Sequence, residues 1–172
     1  MRAPISIIIP TLDAEAGLPA CLNALGEGLA AGLVRELIVS DGGSADTTLQ
    51  IARSAGAEIV TGPPSRGGQL RRGAAAAQGR WLLFLHADTV LQPGWADAVR
   101  ATLPAPGAYH FALRFDARGP APALIAGWAN LRARAFGLPY GDQGLLIDRA
   151  IYDAAGGFPD IPLMEDVALA RT

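Results

Sequence analysis

The sequence predicts an α/β fold, with a mostly parallel central sheet, helices on both faces and a mixed C-terminal half. Three observations carry this prediction. Short β-branched and apolar runs recur without polar alternation, as strands covered on both faces do. Segments of helical spacing separate them. Beyond Leu103 the regular alternation loosens and a half-exposed pattern takes over.

Each element has its own local signal. Ile5–Ile9 is a first strand, and Glu15 to Leu33 carries Leu18, Leu22, Leu25, Leu29 and Leu33 at helical steps. Leu37-Ile38-Val39 is a second strand, broken by Asp41-Gly42-Gly43-Ser44. Ser44 can cap a helix that has Asp46 in its first turn. Ala57–Thr61 is a third strand, ended by Gly62-Pro63-Pro64. Gln69–Gln78 is alanine-rich and helical, Trp81–Leu85 is a fourth strand, and Pro93 opens another helix. Tyr109–Phe115 alternates like a half-exposed strand, Ala121–Phe136 reads as a helix, and Leu145-Leu146-Ile147 as a last buried strand.

The 172 residues suit one domain, with regular alternation over 1–103 and a looser pattern over 104–172. With 51% hydrophobic and 17% charged residues the chain is too apolar for disorder. A net charge of −2 argues against a nucleic-acid partner, which calls for a basic excess. All 14 cationic residues are arginines, which removes Schiff-base chemistry and the P-loop lysine. The single cysteine, Cys21, excludes an internal disulfide and reads as an inert helix residue in a reducing cytoplasm. The first residues lack the pattern of a signal peptide, and the other apolar runs fall short of the ~20 residues of a spanning helix. The expected location is cytoplasmic, with the inner face of the membrane as an option. Between Arg114 and Arg134 four arginines stand against Asp116. With Trp128 and Leu131 that segment reads first as a solvated face packed on the sheet, and otherwise as a peripheral membrane contact.

In an open α/β sheet ligands bind beyond the carboxyl ends of the strands. Pro10, Thr11 and Asp13 come after the first run, and Asp41 with Gly42-Gly43 after the second. Gly62, Pro64 and Arg66 succeed the third, and His86, Ala87 and Asp88 the fourth. Acids at three of four strand ends, with an arginine beside them, point to an edge that holds a metal and a nucleotide. His86 and Asp88, two apart at a strand end, are expected to point the same way. One carboxylate together with a ligand's phosphates suffices for Mg²⁺ or Mn²⁺. Neither G-x-G-x-x-G nor a Walker A sequence is present. Blander readings stay open: Asp41 and Asp46 as helix caps, His86 as a hydrogen-bonded strand-end residue, Asp88 as a turn residue, and Arg66 and Arg71 as surface charges.

Ser6 to Asp13 and Ile38 to Asp46 resemble the opening of family 2 glycosyltransferases of the GT-A fold, which is Rossmann-like. Arg66-Gly67-Gly68-Gln69-Leu70, Leu82 to Thr89, Pro139 to Gly144, Gly156 to Pro159 and Met164-Glu165-Asp166 are similar to its radical-SAM/selenodomain-associated subgroup. The resemblance implies an inverting transfer of a sugar from a nucleoside-diphosphate sugar, UDP-linked by preference, to an acceptor hydroxyl that a lipid could carry. It implies that Pro10, Thr11 and Asp13 hold base and ribose, and that Asp41 binds base or ribose. Arg66 and Arg71 would approach the diphosphate. Asp88 would bind Mg²⁺ or Mn²⁺ as the last residue of the family's D-x-D, with His86 in the place of the first. Asp166 would be the catalytic base, with residues 1–103 as the nucleotide-binding half and 104–172 as the acceptor-side half. Relatives continue well past Thr172, so the C-terminus is expected to be incomplete, and a nucleotide-sugar-binding module without turnover is the alternative.

Overall fold

The computed structural model describes residues 2–113 and 144–158. Within them lie strands β1 (Ile5–Thr11), β2 (Val34–Asp41), β3 (Glu58–Thr61), β4 (Trp81–Phe84), β5 (Ala108–His110) and β6 (Leu145–Asp148). The helices are α1 (Leu18–Ala24), α2 (Gly26–Ala30), α3 (Thr48–Ser54), α4 (Arg66–Ala76), α5 (Trp95–Thr102) and α6 (Arg149–Ala154). The strands form one sheet in the order β3-β2-β1-β4-β6-β5. The pairs β1–β2, β1–β4 and β2–β3 are parallel, while β6 runs antiparallel to both β4 and β5. The predicted parallel front and mixed second half are both present, and β6 joins them in one sheet.

Two cores cover the two faces. Ile5, Ile7 and Ile9 of β1 pack with Leu18, Cys21, Val39, Leu83 and Trp95, beneath α1, α2, α3 and α5. Ile8 turns to the other face and meets Ile38, Leu70, Ala74, Phe84 and Tyr152, beneath α4 and α6. The alternation along β1 is the period of two expected of any strand, with apolar residues on both sides. On the second face Phe158 stands edge-on to Phe84, with centroids 4.9 Å apart. Helix α4 reaches the sheet through Gly73, where a Cβ would lie 2.4 Å from Cγ2 of the fully buried Ile8.

Some elements depart from expectation. The predicted helix over residues 15–33 is two short helices, interrupted at Leu25, whose amide bonds the Leu22 carbonyl at 3.1 Å. The break seats Gly28 against Trp95, whose indole Nε1 donates to the Ala24 carbonyl at 3.0 Å. Leu29, at 67% exposure, lies off the core despite its helical spacing. Ser44 caps no helix, because α3 begins only at Thr48. Helix α4 starts three residues before Gln69, since Ser65 accepts from the Gly68 amide and caps it there. The six-residue α6 has no counterpart in the sequence reading; Asp148 caps it by accepting from the Ala150 amide at 2.9 Å. Strand β5, Ala108–His110, shares Tyr109 and His110 with the expected Tyr109–Phe115; residues 111–113 are not strand, and 114 and 115 lie outside the described residues. The predicted helix Ala121–Phe136 lies outside the described residues.

At the carboxyl end of β2 the Asp41 carboxylate ties three pieces of chain together. One oxygen accepts from the hydroxyls of Thr11 (2.9 Å) and Ser44 (2.5 Å). The other accepts from the amides of Gly43 (2.7 Å) and Ser44 (2.8 Å). Burial by itself pushes this carboxyl up, but the bonds from Ser44, Gly43 and Thr11 outweigh it and hold it below the usual carboxylate value.

Both features should register in stability. Gly73→Val forces a branched side chain onto Ile8 and should cost roughly 1–3 kcal/mol in urea unfolding. Because the folded-state pKa of Asp41 is lowered, its contribution is complete above the unfolded value near 3.8 and is lost as pH falls through the folded one. Asp41→Asn should therefore cost roughly 1.5–3 kcal/mol at pH 7, with the gap to the wild type closing as unfolding is measured below pH ~4.

Candidate functional site

Strands β1 to β4 are parallel, so the segments that leave their carboxyl ends emerge at one edge. There they line a cleft of about 590 Å³, walled by residues 10–14, 16, 17, 64–66, 69 and 86–88. Pro10, Thr11, Asp13, Arg66, His86 and Asp88, all proposed from the sequence, come together in it. They derive from three separate stretches of chain.

The β1 side is held by a zipper of short bonds. Asp13 has φ +48°, a left-handed conformation that aspartate tolerates better than most residues. Its amide donates to the Ser44 hydroxyl at 2.9 Å, and its Oδ1 accepts from the Ala45 amide at 2.8 Å. Glu15 Oε2 accepts from the Thr47 hydroxyl at 2.7 Å, while Asp46 accepts from the amides of Glu15 and Thr48. Asp46 is thus a loop brace as well as a partner for the first amide of α3.

Ser65 sets the start of α4, and this brings Arg66 into the cleft. Its guanidinium Nη2 lies 3.2 Å from His86 Nδ1. A guanidinium carries only donors, so Nδ1 accepts here and the ring proton belongs on Nε2. His86 and Asp88 do not share a strand face: β4 ends at Phe84, and the Thr89 amide bonds the His86 carbonyl in a turn. The turn still delivers both to the cleft, with Asp88 exposed and His86 buried. Gly17 lies against this turn so closely that a Cβ would sit 3.0 Å from Asp88 Cα. Below it, the Cys21 thiol donates to the His86 carbonyl at 3.5 Å. Burial, and then the charge of Asp88, push that thiol up to about 12, which leaves it inert as expected.

Two sequence assignments do not meet the cleft. Asp41 is fully buried, both its oxygens are occupied by protein donors, and it is absent from the lining. It orders the loop instead of facing a ligand. Arg71 is exposed and also absent from the lining. Five residues separate it from Arg66, about 140° around a helix, so both cannot face one side; its charge acts on Tyr152. Asp142, Gln143, Glu165 and Asp166 lie outside the described residues. The sequence reading passed over Gln69 and Gly17; Gln69 was legible only as part of the Arg66–Leu70 motif.

Among the described residues no group of three or more His, Cys, Asp or Glu side chains is disposed to hold a metal ion. The cleft instead offers the exposed Asp88 carboxylate beside His86. The carboxylate fits a hard cation that takes its remaining ligands from bound phosphates and water, while His86, with its proton on Nε2, can donate to a phosphate oxygen and does not ligate the cation.

The chain is similar to known glycosyltransferases. The PGL/p-HBAD biosynthesis glycosyltransferase of Mycobacterium bovis is 41% identical over 99 residues, 53% of this chain and 38% of that protein. Glucosyl-3-phosphoglycerate synthase of Mycolicibacterium paratuberculosis is 35% identical over 95 residues, 50% of this chain and 29% of that one. The chain therefore spans well under half the length of either relative. The crystal structure of glucosyl-3-phosphoglycerate synthase from Mycobacterium tuberculosis with Mn²⁺, UDP and glucosyl-3-phosphoglycerate superposes with a TM-score of 0.69. It is 23% identical, over 97% of this chain and 64% of that one. Staphylococcus aureus TarS 1-349 gives 0.70 at 18% identity, over 97% of this chain and 54% of that one. At these identities the likeness is one of fold, and the fold is GT-A. Residues 6–134 match the family described as Glycosyl transferase family 2, and with its fold and strand-end cleft the chain belongs to that family.

Proposed function

We propose that the chain carries the donor half of a metal-dependent glycosyltransferase that moves a sugar from UDP-sugar to an acceptor hydroxyl with inversion. The observation that carries this reading is the convergence of Pro10, Thr11, Asp13, Arg66, His86 and Asp88 on one strand-end cleft. The UDP complexes of the synthase with Mn²⁺ or Mg²⁺ support the choice of donor and cation.

In this reading the β1 end and Asp13 hold base and ribose, and Arg66 faces the diphosphate. Arginine suits that position, since its planar fork matches phosphate oxygens and its charge does not depend on pH. Asp88 would hold Mg²⁺ or Mn²⁺, which supplies charge neutralisation on the departing diphosphate. The His86 ring, pinned through Nδ1 to Arg66, presents Nε2 in a set orientation. Asp166 would take the acceptor proton as the new bond forms. The acceptor, lipid-borne or otherwise, would be gathered by the half beyond residue 103. No helix among the described residues is long and apolar enough to cross a membrane.

UDP with Mn²⁺ at 100 times its dissociation constant should stabilise the chain by about 2.7 kcal/mol, a melting shift of roughly 5–10 °C. Asp88→Ala should abolish the metal-dependent part of that shift while leaving the unliganded melting point within about 1–2 °C of wild type, as expected of an exposed side chain. An unchanged shift in this variant removes Asp88 from the metal site. Asp166→Asn should keep the UDP shift and lower transfer by about 10²–10⁴-fold in a donor-consumption assay; full turnover there assigns the base elsewhere.

A further inference from the structure

Gln69 is a polar side chain of the cleft that the protein satisfies by half. It stands in the second turn of α4 and is 5% exposed. Its Nε2 donates to the carbonyl oxygens of Thr11 at 2.7 Å and Ser40 at 3.0 Å, at the ends of β1 and β2. Both amide hydrogens are spent in this way. Turning the amide over would press Oε1 against two carbonyl oxygens, so the neighbours dictate which atom points where. Oε1 is then an acceptor, and it takes no bond from the described residues. Nor is it among their solvent-sealed unpartnered atoms, so it opens into the cleft that Gln69 lines.

The surroundings keep that oxygen uncovered. Gly42 passes beside it, and a Cβ there would lie 3.2 Å from Oε1 and 3.2 Å from Pro64 Cα. Asp41, one residue earlier, has both oxygens committed to the loop. Asp13 also lines the Thr11 side of the cleft, but it is exposed and its Oδ1 takes the Ala45 amide; the nearly buried open acceptor there among the described residues is the Gln69 oxygen. A nearly buried acceptor that gives up water needs a donor in return, and a ligand lacking one is rejected.

Resting on the donor-site reading above, we propose that Gln69 is the base-specificity residue, its Oε1 accepting the N3–H of uracil. Cytosine presents an acceptor at that ring position and would set two lone pairs against each other. The neighbouring carbonyls of Thr11 and Ser40 are already occupied by Gln69 itself, so the discrimination rests on one atom.

Isothermal titration of the 172-residue chain with UDP, 3-methyl-UDP and CDP, each with Mn²⁺, tests this. UDP should bind about 10- to 100-fold more tightly than 3-methyl-UDP or CDP, the range of a buried hydrogen-bond partner lost. Gln69→Leu should bring UDP down to the level of 3-methyl-UDP. Gly42→Ala, which covers Oε1 without breaking its two anchoring bonds, should flatten the discrimination in the same direction and serves if the leucine variant fails to fold. Equal binding of UDP and 3-methyl-UDP by the wild type overturns the proposal while leaving the donor site standing. So does discrimination that persists undiminished in either folded variant. Failure of every nucleotide to bind overturns the donor-site reading, and this inference with it.

Discussion

The Asp41 carboxylate is the tether on which the cleft depends. A parallel sheet ends in peptide groups that have no further strand to bond, and buried groups of that kind must find partners. Here one carboxylate collects the Thr11 hydroxyl, two loop amides and the Ser44 hydroxyl. The Gly42 amide returns to the Thr11 carbonyl at 2.8 Å. Ser44 then holds the Asp13 amide, so a single charge at the end of β2 orders the loop after β1 as well. A carboxylate does this better than a neutral side chain because four donors converge on it, and charge-assisted bonds are the stronger ones.

The opposite wall is built on the same economy of polar groups. Gln69 supplies the donors for the Thr11 and Ser40 carbonyls from the far side, across the sheet edge. Helix α4 can come near enough because Gly73 meets Ile8 without a side chain between them. Arg66, one turn earlier than Gln69, is thereby set against His86 at the end of β4. Fold and site are consequently one construction: the contact that seats α4 on β1 also aims its first turn into the cleft.

Among the described residues the cleft sets two carboxylates, Asp13 and Asp88, against one guanidinium, Arg66, so an anionic ligand needs a cation with it. Asp13 has one oxygen engaged by the Ala45 amide, and Asp88 stands exposed beside a histidine that an arginine orients. A diphosphate with a hard cation would balance that set, each partner supplying what the other lacks.

The strands and the edge at which the candidate site residues gather are legible in the chain alone. Buried apolar runs such as Ile5–Ile9 and Trp81–Leu85 have no stable alternative to a covered sheet, and the chain must turn polar where it leaves that sheet for solvent. The spacing of Leu18 and Leu22 likewise marks α1, although the single helix it predicts over 15–33 is interrupted at Leu25. Tertiary structure decided what local patterns cannot carry. Leu29 has the right spacing for a core residue, yet the break at Leu25 turns it to solvent. Asp41 and Gln69 both belong to motifs, but which one faces the cleft depends on which finds its donors or acceptors inside the protein. Arg66 and Arg71 are alike in sequence, and only the rotation of α4 about its axis, set by Gly73 on Ile8, separates them. Strand identity is a matter of burial along one segment, whereas the aim of these side chains is fixed by contacts between segments twenty or more residues apart.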